Sequence, residues 1–278
     1  MLAPWEAAPG LTGYRVDAPH PLAAVLLVHG YAEHAGRHER TMRRFAERGI
    51  TTFSYDQRGH GRSPGARAFI ERFEALVDDA AAMRGAAARA AAGVPLFLFG
   101  ASMGGLVAIR SVEQSADGLA GLVLVAPALR IDHATPAIVR ALAPFAAALV
   151  PRTPAARLDV RLLSRNPSVG AGFLADPLTS KDGVTVRSAH EMVRGGVAAL
   201  VDASRVALPL LIVHGDEDAI AAIAGSQLFL SAVGSGDATL RSVPGGFHEP
   251  FTDPGGDALV DETAEWILAR AGLRADAS

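Results

Sequence analysis

With 278 residues, 50% of them hydrophobic and 20% charged, the chain suits one large α/β domain carrying an insertion better than two independent domains. Its net charge is −3 with acidic and basic residues interspersed, so no basic stripe is available to track a nucleic acid, and none is expected as a partner. The absence of cysteine excludes disulfides, thiolate metal sites and a cysteine nucleophile; any covalent chemistry must use another side chain.

Met1 to Gly10 contains Pro4, Pro9 and Glu6 and no basic residue, which is not the pattern of a secretory signal. The longest apolar stretch, Ala141 to Val150, is broken by Pro144 and falls far short of the ~20 residues that span a bilayer. A cytoplasmic location is expected.

Before Val25 there is room for one clear strand, near Tyr14-Arg15-Val16. Val25 to Val28 then reads as a buried strand ending at His29-Gly30, followed by a helical pattern over His38 to Arg48. Thr51 to Tyr55 is a strand ending at Asp56, and Phe73 to Ala92 a helix. Leu96 to Phe99, the helix Met103 to Gln114 and the strand Leu122 to Val125 continue the rhythm. After a gap it resumes with Leu210 to Val213, the helix Ala221 to Val233, the strand Thr239 to Val243 and the helix Asp257 to Ala271. The strand runs are continuously apolar, as in strands covered on both faces, and their alternation with helices predicts a doubly wound, mostly parallel sheet with its site at the strand C-termini. Between Arg130 and Val206 no convincing strand is visible, and prolines punctuate several helical stretches. A structureless loop of that length is implausible. The expected organisation is a core from residues 1–129 and 207–278, with a helical cap inserted at 130–206.

Gly100-Ala101-Ser102-Met103-Gly104 matches G-x-S-x-G, a pattern for which chance supplies about 0.16 matches in such a chain, so its flanks must decide. An apolar strand runs into it and a helix runs out. That turn forces a nucleophile into a strained conformation at a helix N-terminus, while the glycines admit neighbouring backbone. Serine needs a base to take its proton, and nothing local supplies one. In hydrolases with this strand–turn–helix motif the chain order is serine, acid, histidine. His248, in the glycine-rich loop after the last strand, meets that order. His214-Gly215-Asp216-Glu217-Asp218 offers three carboxylates for the acid. Asp218 is preferred on reach and order, with Asp216 expected to stabilise its own turn by Asx-type bonding. The oxyanion of acyl transfer calls for two backbone N–H groups, expected from Met103 and Tyr31. His29 and His34 lie in a loop without helical ligand spacing and are expected to hold that loop rather than a metal. Asp56 to Ser63 lacks the lysine of a phosphate-binding loop and reads as scaffolding beside the site.

Taken together, His29-Gly30-x-x-Glu33-His34-x-Gly36-Arg37, Asp56-x-Arg58-Gly59-His60-Gly61-x-Ser63, Gly100-x-Ser102-Met103-Gly104-Gly105, His214-Gly215-x-x-Asp218 and Gly246-x-His248-Glu249 resemble the monoacylglycerol lipase and lysophospholipase branch of the α/β-hydrolases. The resemblance covers roughly Tyr14 to Ala271. It implies an α/β-hydrolase fold, a triad of Ser102, Asp218 and His248, oxyanion donors at Tyr31 and Met103, and a cap over an acyl-chain tunnel. Ser164-Arg165-Asn166-Pro167 and Asp176-Pro177-Leu178 resemble landmarks of that cap. Relatives usually carry two strands before Val25, so the first is expected to be missing or shortened. No metal or cofactor is implied. The expected substrate is a monoacylglycerol or related acyl ester, with lysophospholipids and simple carboxylesters as alternatives. A peptidase would gather acidic cap residues around a free amine, and Asp132, Asp159, Asp176, Asp182, Glu191 and Asp202 are scattered. A non-catalytic scaffold usually loses a triad member, and all three positions are filled. Pro136 to Val150 reads either as helix packed over the tunnel or as a surface for transient membrane contact.

Overall fold

The computed structural model of the chain describes residues 2–5, 10–91, 93–131 and 136–275. Its core strands are β1 (Ala3–Trp5), β2 (Gly13–Val16), β3 (Ala23–Val28), β4 (Ile50–Tyr55), β5 (Leu96–Ala101) and β6 (Leu119–Val125). A short pair, β7 (Pro154–Ala156) and β8 (Val184–Thr185), precedes the last core strands, β9 (Leu210–Gly215) and β10 (Ala238–Val243). The helices are α1 (Glu39–Glu47), α2 (Phe73–Ala90), α3 (Met103–Gln114), α4 (Ala137–Leu149), α5 (Pro167–Ala175), α6 (Val186–Asp202), α7 (Ile223–Ala232) and α8 (Gly256–Ala275). Every core strand and helix expected from Val25 onward is present.

Eight strands form one sheet in the order β1-β2-β4-β3-β5-β6-β9-β10. β1 pairs antiparallel with β2 and β2 with β4, and the remaining neighbours are parallel. The first strand is therefore present but shortened to three residues, with Ala3 opposite Arg15 and Trp5 opposite Gly13. It escapes a periodicity reading because it contains Pro4 and its residues are exposed or half-buried.

Continuous apolar runs cover both faces of the sheet. In β3, Ala24, Leu26 and Val28 pack with Phe73, Leu76 and Leu106 of α2 and α3. The alternate residues, Ala23, Val25 and Leu27, pack with Phe45 of α1 and Val260 and Ile267 of α8. The period of two thus divides one strand between two cores, and each fully buried Leu contributes roughly 1.5–3 kcal/mol.

The chain crosses from β4 to β5 on the far side of β3, so β3 and β5 are parallel neighbours with Val28 opposite Gly100. Their following loops leave the same sheet edge side by side, the usual position of a site in an open α/β sheet. Residues 136–206 lie over that edge. Ser180 N–H donates to Ala32 O at 2.8 Å, Leu163 O accepts from Glu249 N–H at 2.7 Å, and the Tyr31 hydroxyl lies 3.3 Å from Gly183 O. Its described residues are mostly helical, α4 to α6, and β7 and β8 pair as a small antiparallel ladder. A ladder of three residues against two, one beginning at Pro154, leaves no apolar alternation to read. Pro144 is accommodated inside α4.

Candidate active site

Ser102 sits between β5 and α3 with φ 52° and ψ −120°. A non-glycine residue held there costs on the order of 1–3 kcal/mol, which the surrounding turn must supply. The turn is fixed from both sides, Ser102 N–H donating to Val125 O at 2.9 Å and Ser102 O accepting from Ala128 N–H at 3.0 Å. Gly104 is required by close approach: a Cβ there would stand 2.1 Å from Val28 O and 2.4 Å from His29 O. The motif therefore presses the start of α3 against the end of β3.

His248 Nε2 stands 2.8 Å from Ser102 Oγ, and its Nδ1 is 2.7 Å from Asp218 Oδ2. The three residues come from the loops after β5, β9 and β10, as the sequence order predicts. Asp218 is heavily anchored: Oδ1 accepts from the N–H groups of Ile220 (2.8 Å) and Ala221 (3.0 Å). Burial works against its charge, but the His248 charge and hydrogen bonds from His214, His248 and Ala221 hold its carboxyl well below the usual range. For His248, burial pulls the pKa down, yet the adjacent Asp218, with Glu249 and Glu33 behind it, leaves it above the ordinary 6.5. The arrangement is a hydroxyl with a base in reach and a fixed anion that orients the base.

His214 has a role that the sequence does not announce. Its Nε2 lies 3.1 Å from Asp218 Oδ2 and 2.8 Å from Ala221 O, while Nδ1 lies 2.8 Å from Ser226 Oγ. Fully buried, it braces the acid from below; its place in the His214–Asp218 motif was the available signal. The expectation for Asp216 is corrected. Its carboxylate accepts from Gly245 N–H at 2.6 Å across to the β10 loop rather than closing its own turn, because β9 and β10 are adjacent.

Tyr31 follows β3, Met103 opens α3, and both line the cavity that contains Ser102. Among the described residues neither backbone N–H makes a hydrogen bond, which leaves two donors free beside the hydroxyl. The Tyr31 side chain instead ties its loop down, donating to Ala68 O at 2.5 Å; burial pushes its pKa up to about 12, so it stays neutral. His29 and His34 hold loops, as expected: His29 Nε2 accepts from Gln57 N–H at 2.9 Å, and His34 Nε2 meets Asp176 Oδ2 at 2.8 Å. Asp56 braces the same region by accepting from Ala35 and Arg62 N–H. Among the described residues no group of three or more metal-ligating side chains converges.

The cavity measures about 1190 Å³. Leu142, Ala146, Phe173, Met192 and Val193 make its upper walls apolar, whereas Glu33, Arg37, His38, Thr41, Glu249 and Thr252 form a polar strip near His248. Four acidic residues of the covering segment already have partners. Asp159 pairs with Arg161, Asp176 with His34, Glu191 with Arg194 and Asp202 with Arg110. Asp132 lies outside the described residues.

Comparison with known proteins agrees with this architecture. Residues 19–255 match the hydrolase family described as serine aminopeptidase, S33. A monoacylglycerol lipase from Mycolicibacterium smegmatis is 33% identical over 249 residues, 90% of this chain and 89% of that protein. The monoglyceride lipase of Rattus norvegicus is 28% identical over 91% of this chain and 86% of its own. Among solved structures, a monoacylglycerol lipase from Paleococcus ferrophilus superposes with a TM-score of 0.82 at 30% identity, covering 94% of this chain and 99% of that one. The chain belongs to this S33 family of α/β-hydrolases. Within it, the chain is a hydrolase of the lipase and esterase type.

Proposed function

We propose that the protein cleaves carboxylic esters of medium or long acyl chains through an acyl-enzyme on Ser102, and that a monoacylglycerol is its first substrate. The observation that carries this reading is the continuous chain Ser102–His248–Asp218 at the floor of a large cavity that is apolar above and polar on one side. Residues 130–206 act as the cap, its apolar walls taking the acyl chain. The alcohol end faces the strip of His38, Thr41, Glu249 and Thr252. Similarity to monoacylglycerol lipases at about one third identity supports the same substrate class.

In the proposed cycle His248 Nε2 takes the proton of Ser102 Oγ as the oxygen attacks the ester carbonyl. The oxyanion is held by the Tyr31 and Met103 amides, and the α3 N-terminus favours that charge. The imidazolium returns its proton to the leaving alkoxide, releasing glycerol. A water, deprotonated by His248, then attacks the acyl-enzyme, and Ser102 departs with the fatty acid freed. Asp218 keeps the imidazole in one tautomer throughout.

Lysophospholipids and simple esters fit the same chemistry, since the fold does not choose among them. An aminopeptidase activity is less well supported, because Asp159, Asp176, Glu191 and Asp202 of the cap already have cationic or imidazole partners. Contact with lipid surfaces is part of the proposal: Ile138, Phe145 and Leu149 of α4 are 67%, 69% and 82% exposed.

The test is turnover of monoacylglycerols and p-nitrophenyl esters of rising chain length by wild type and Ser102→Ala. Ser102-dependent turnover peaking on monoacylglycerols is expected, with kcat lost by roughly 10³- to 10⁶-fold in the variant. Ser102-dependent turnover confined to short esters would move the protein to the general carboxylesterases, and full activity without Ser102 would end the scheme.

A further inference from the structure

Glu33 is a buried carboxylate beside the reacting groups to which the mechanism above gives no part. It stands in the loop after β3, three residues past Gly30, and its oxygens are taken up by this chain's own donors. Oε1 accepts from Gly30 N–H at 2.5 Å and lies 3.1 Å from His38 Nε2, while Oε2 accepts from Arg37 Nε–H at 3.0 Å. Burial opposes the charge, but His38, Arg37 and His29 around it keep its carboxyl well below the usual range. With three donors on two oxygens, little capacity is left for a substrate hydroxyl.

The placement of these partners is informative. Gly30 immediately precedes Tyr31, which lines the cavity with its N–H free, so the Gly30–Glu33 bond fixes the peptide plane adjoining the one that carries the free donor. Gly30 is also packed against the nucleophile: a Cβ there would stand 2.8 Å from Glu33 Oε1 and 3.2 Å from Ser102 Cβ. The far side of the cluster reaches the base. Arg37 Nη2 donates to both oxygens of Glu249, at 3.0 and 3.2 Å, and Glu249 is the residue after His248. The guanidinium also lies 5.1 Å over the ring of Phe173 in the covering segment. One ionic path therefore runs from the loop after β3 to the loop after β10, two strands that are not neighbours in the sheet.

We infer that Glu33 is a positioning residue: through Gly30 it aims the Tyr31 amide at the oxyanion, and through Arg37 and Glu249 it fixes that amide's distance from His248. The inference rests on the serine-hydrolase reading above. Glu33→Gln retains one acceptor but turns an NH₂ group toward donors, so at least one of the Gly30, Arg37 and His38 contacts is lost. Glu33→Asp keeps the charge and withdraws it by one methylene.

The experiment compares wild type, Glu33→Gln and Glu33→Asp on a monoacylglycerol and a p-nitrophenyl ester with the same acyl chain. It also measures inhibition by an alkyl boronic acid, whose tetrahedral adduct on serine loads the oxyanion site. A misaimed donor lowers kcat on the order of 10- to 100-fold on both esters in the same proportion. KM is expected to stay within about threefold, with boronate affinity falling in step with kcat/KM. The acid limb of kcat/KM in Glu33→Gln shifts to lower pH, because Glu33 is one of three carboxylates, with Asp218 and Glu249, that raise His248. A rise in KM on the glycerol ester alone would make Glu33 an alcohol contact and overturn the inference, as would unchanged kcat in both variants. Should neither variant fold, the wild type still decides: the Gly30 amide proton, bonded to a carboxylate, is expected far downfield in NMR, and an ordinary shift would overturn the clamp. Ser102→Ala run alongside separates the two failures, since serine-independent turnover removes the reading itself, whereas Ser102-dependent turnover indifferent to Glu33 removes only the clamp.

Discussion

The loops at the C-terminal ends of β3, β5, β9 and β10 bury their polar groups and secure them repeatedly: Asp218 alone meets His248, His214, Ile220 and Ala221. Above them, α4 leaves Ile138, Phe145 and Leu149 largely in solvent. The cover is instead attached by ties spread along its length, among them His34–Asp176, Arg165–Asp253, Arg194–Glu74 and the bond from Ser180 to Ala32. The contrast follows from what each region must do. Bond-making tolerates displacements well under 1 Å, so the floor is overdetermined. An acyl chain is held by non-directional apolar contact, which many side chains satisfy equally. The floor is accordingly specified residue by residue, and the cover mainly by volume and polarity.

If the floor is as rigidly specified as this, one oxygen–nitrogen exchange there should be ruinous. Asp218→Asn is expected to lower kcat by roughly 10⁴-fold with little change in KM, since the imidazole loses the anion that fixes its tautomer. The pH profile sharpens the test. The base acts deprotonated, so kcat/KM of the wild type rises with pH through a His248 pKa above 6.5. Removing the Asp218 charge moves that limb to lower pH, and a limb that stayed in place would show that another group titrates there.

A second prediction concerns a joint between floor and cover. Asp253 is buried and accepts from Ser164 Oγ (2.7 Å), Arg165 N–H (2.7 Å), Arg165 Nε–H (2.9 Å) and Phe247 N–H (3.1 Å). It thus holds the Ser164-Arg165 turn of the cover and the residue before His248. Asp253→Ala leaves buried donors unmatched and is expected to destabilise by about 2–4 kcal/mol. Because Phe247 precedes the base, kcat should fall roughly tenfold as well. Thermal unfolding and kinetics on one preparation check both; lost stability with unchanged kcat would show that the floor does not depend on the joint.

How legible each region was in the sequence follows the same divide. The elements from β3 to α8 in the core are readable, and Ser102, His248 and Asp218 stand out as candidates, because glycines, strand ends and chain order constrain them together. What escaped on the floor were partners rather than actors. His214 lies in a motif that marks its place without indicating which way its ring points, and Asp253 stands in no motif at all. The β7–β8 ladder was missed because Pro154 to Ala156 and Val184-Thr185 are too short for a period of two to emerge. β1 is illegible for the same reason, having a proline among its three residues. In the cover, abundant alanine announces helix but does not say which face is turned to the cavity.

That last ambiguity concerns α4 and gives the smallest expected effect. Leu142 and Ala146 line the cavity, so packing over the tunnel accounts for one side of the helix. It does not account for Phe145 and Leu149, 69% and 82% exposed, which an enzyme acting on dispersed esters has no reason to keep apolar. If they meet lipid, Phe145→Ser with Leu149→Ser should leave stability within about 0.5 kcal/mol, because little packing is lost at exposed sites. Turnover of a short soluble ester should then be unchanged, while co-sedimentation with phosphatidylcholine vesicles and hydrolysis of vesicle-borne monoacylglycerol each fall several-fold. Equal vesicle binding by wild type and double variant would assign the outer face no lipid contact. Loss of activity on the soluble ester as well would mean instead that α4 shapes the tunnel from both sides, and that the cover is as closely specified as the floor beneath it.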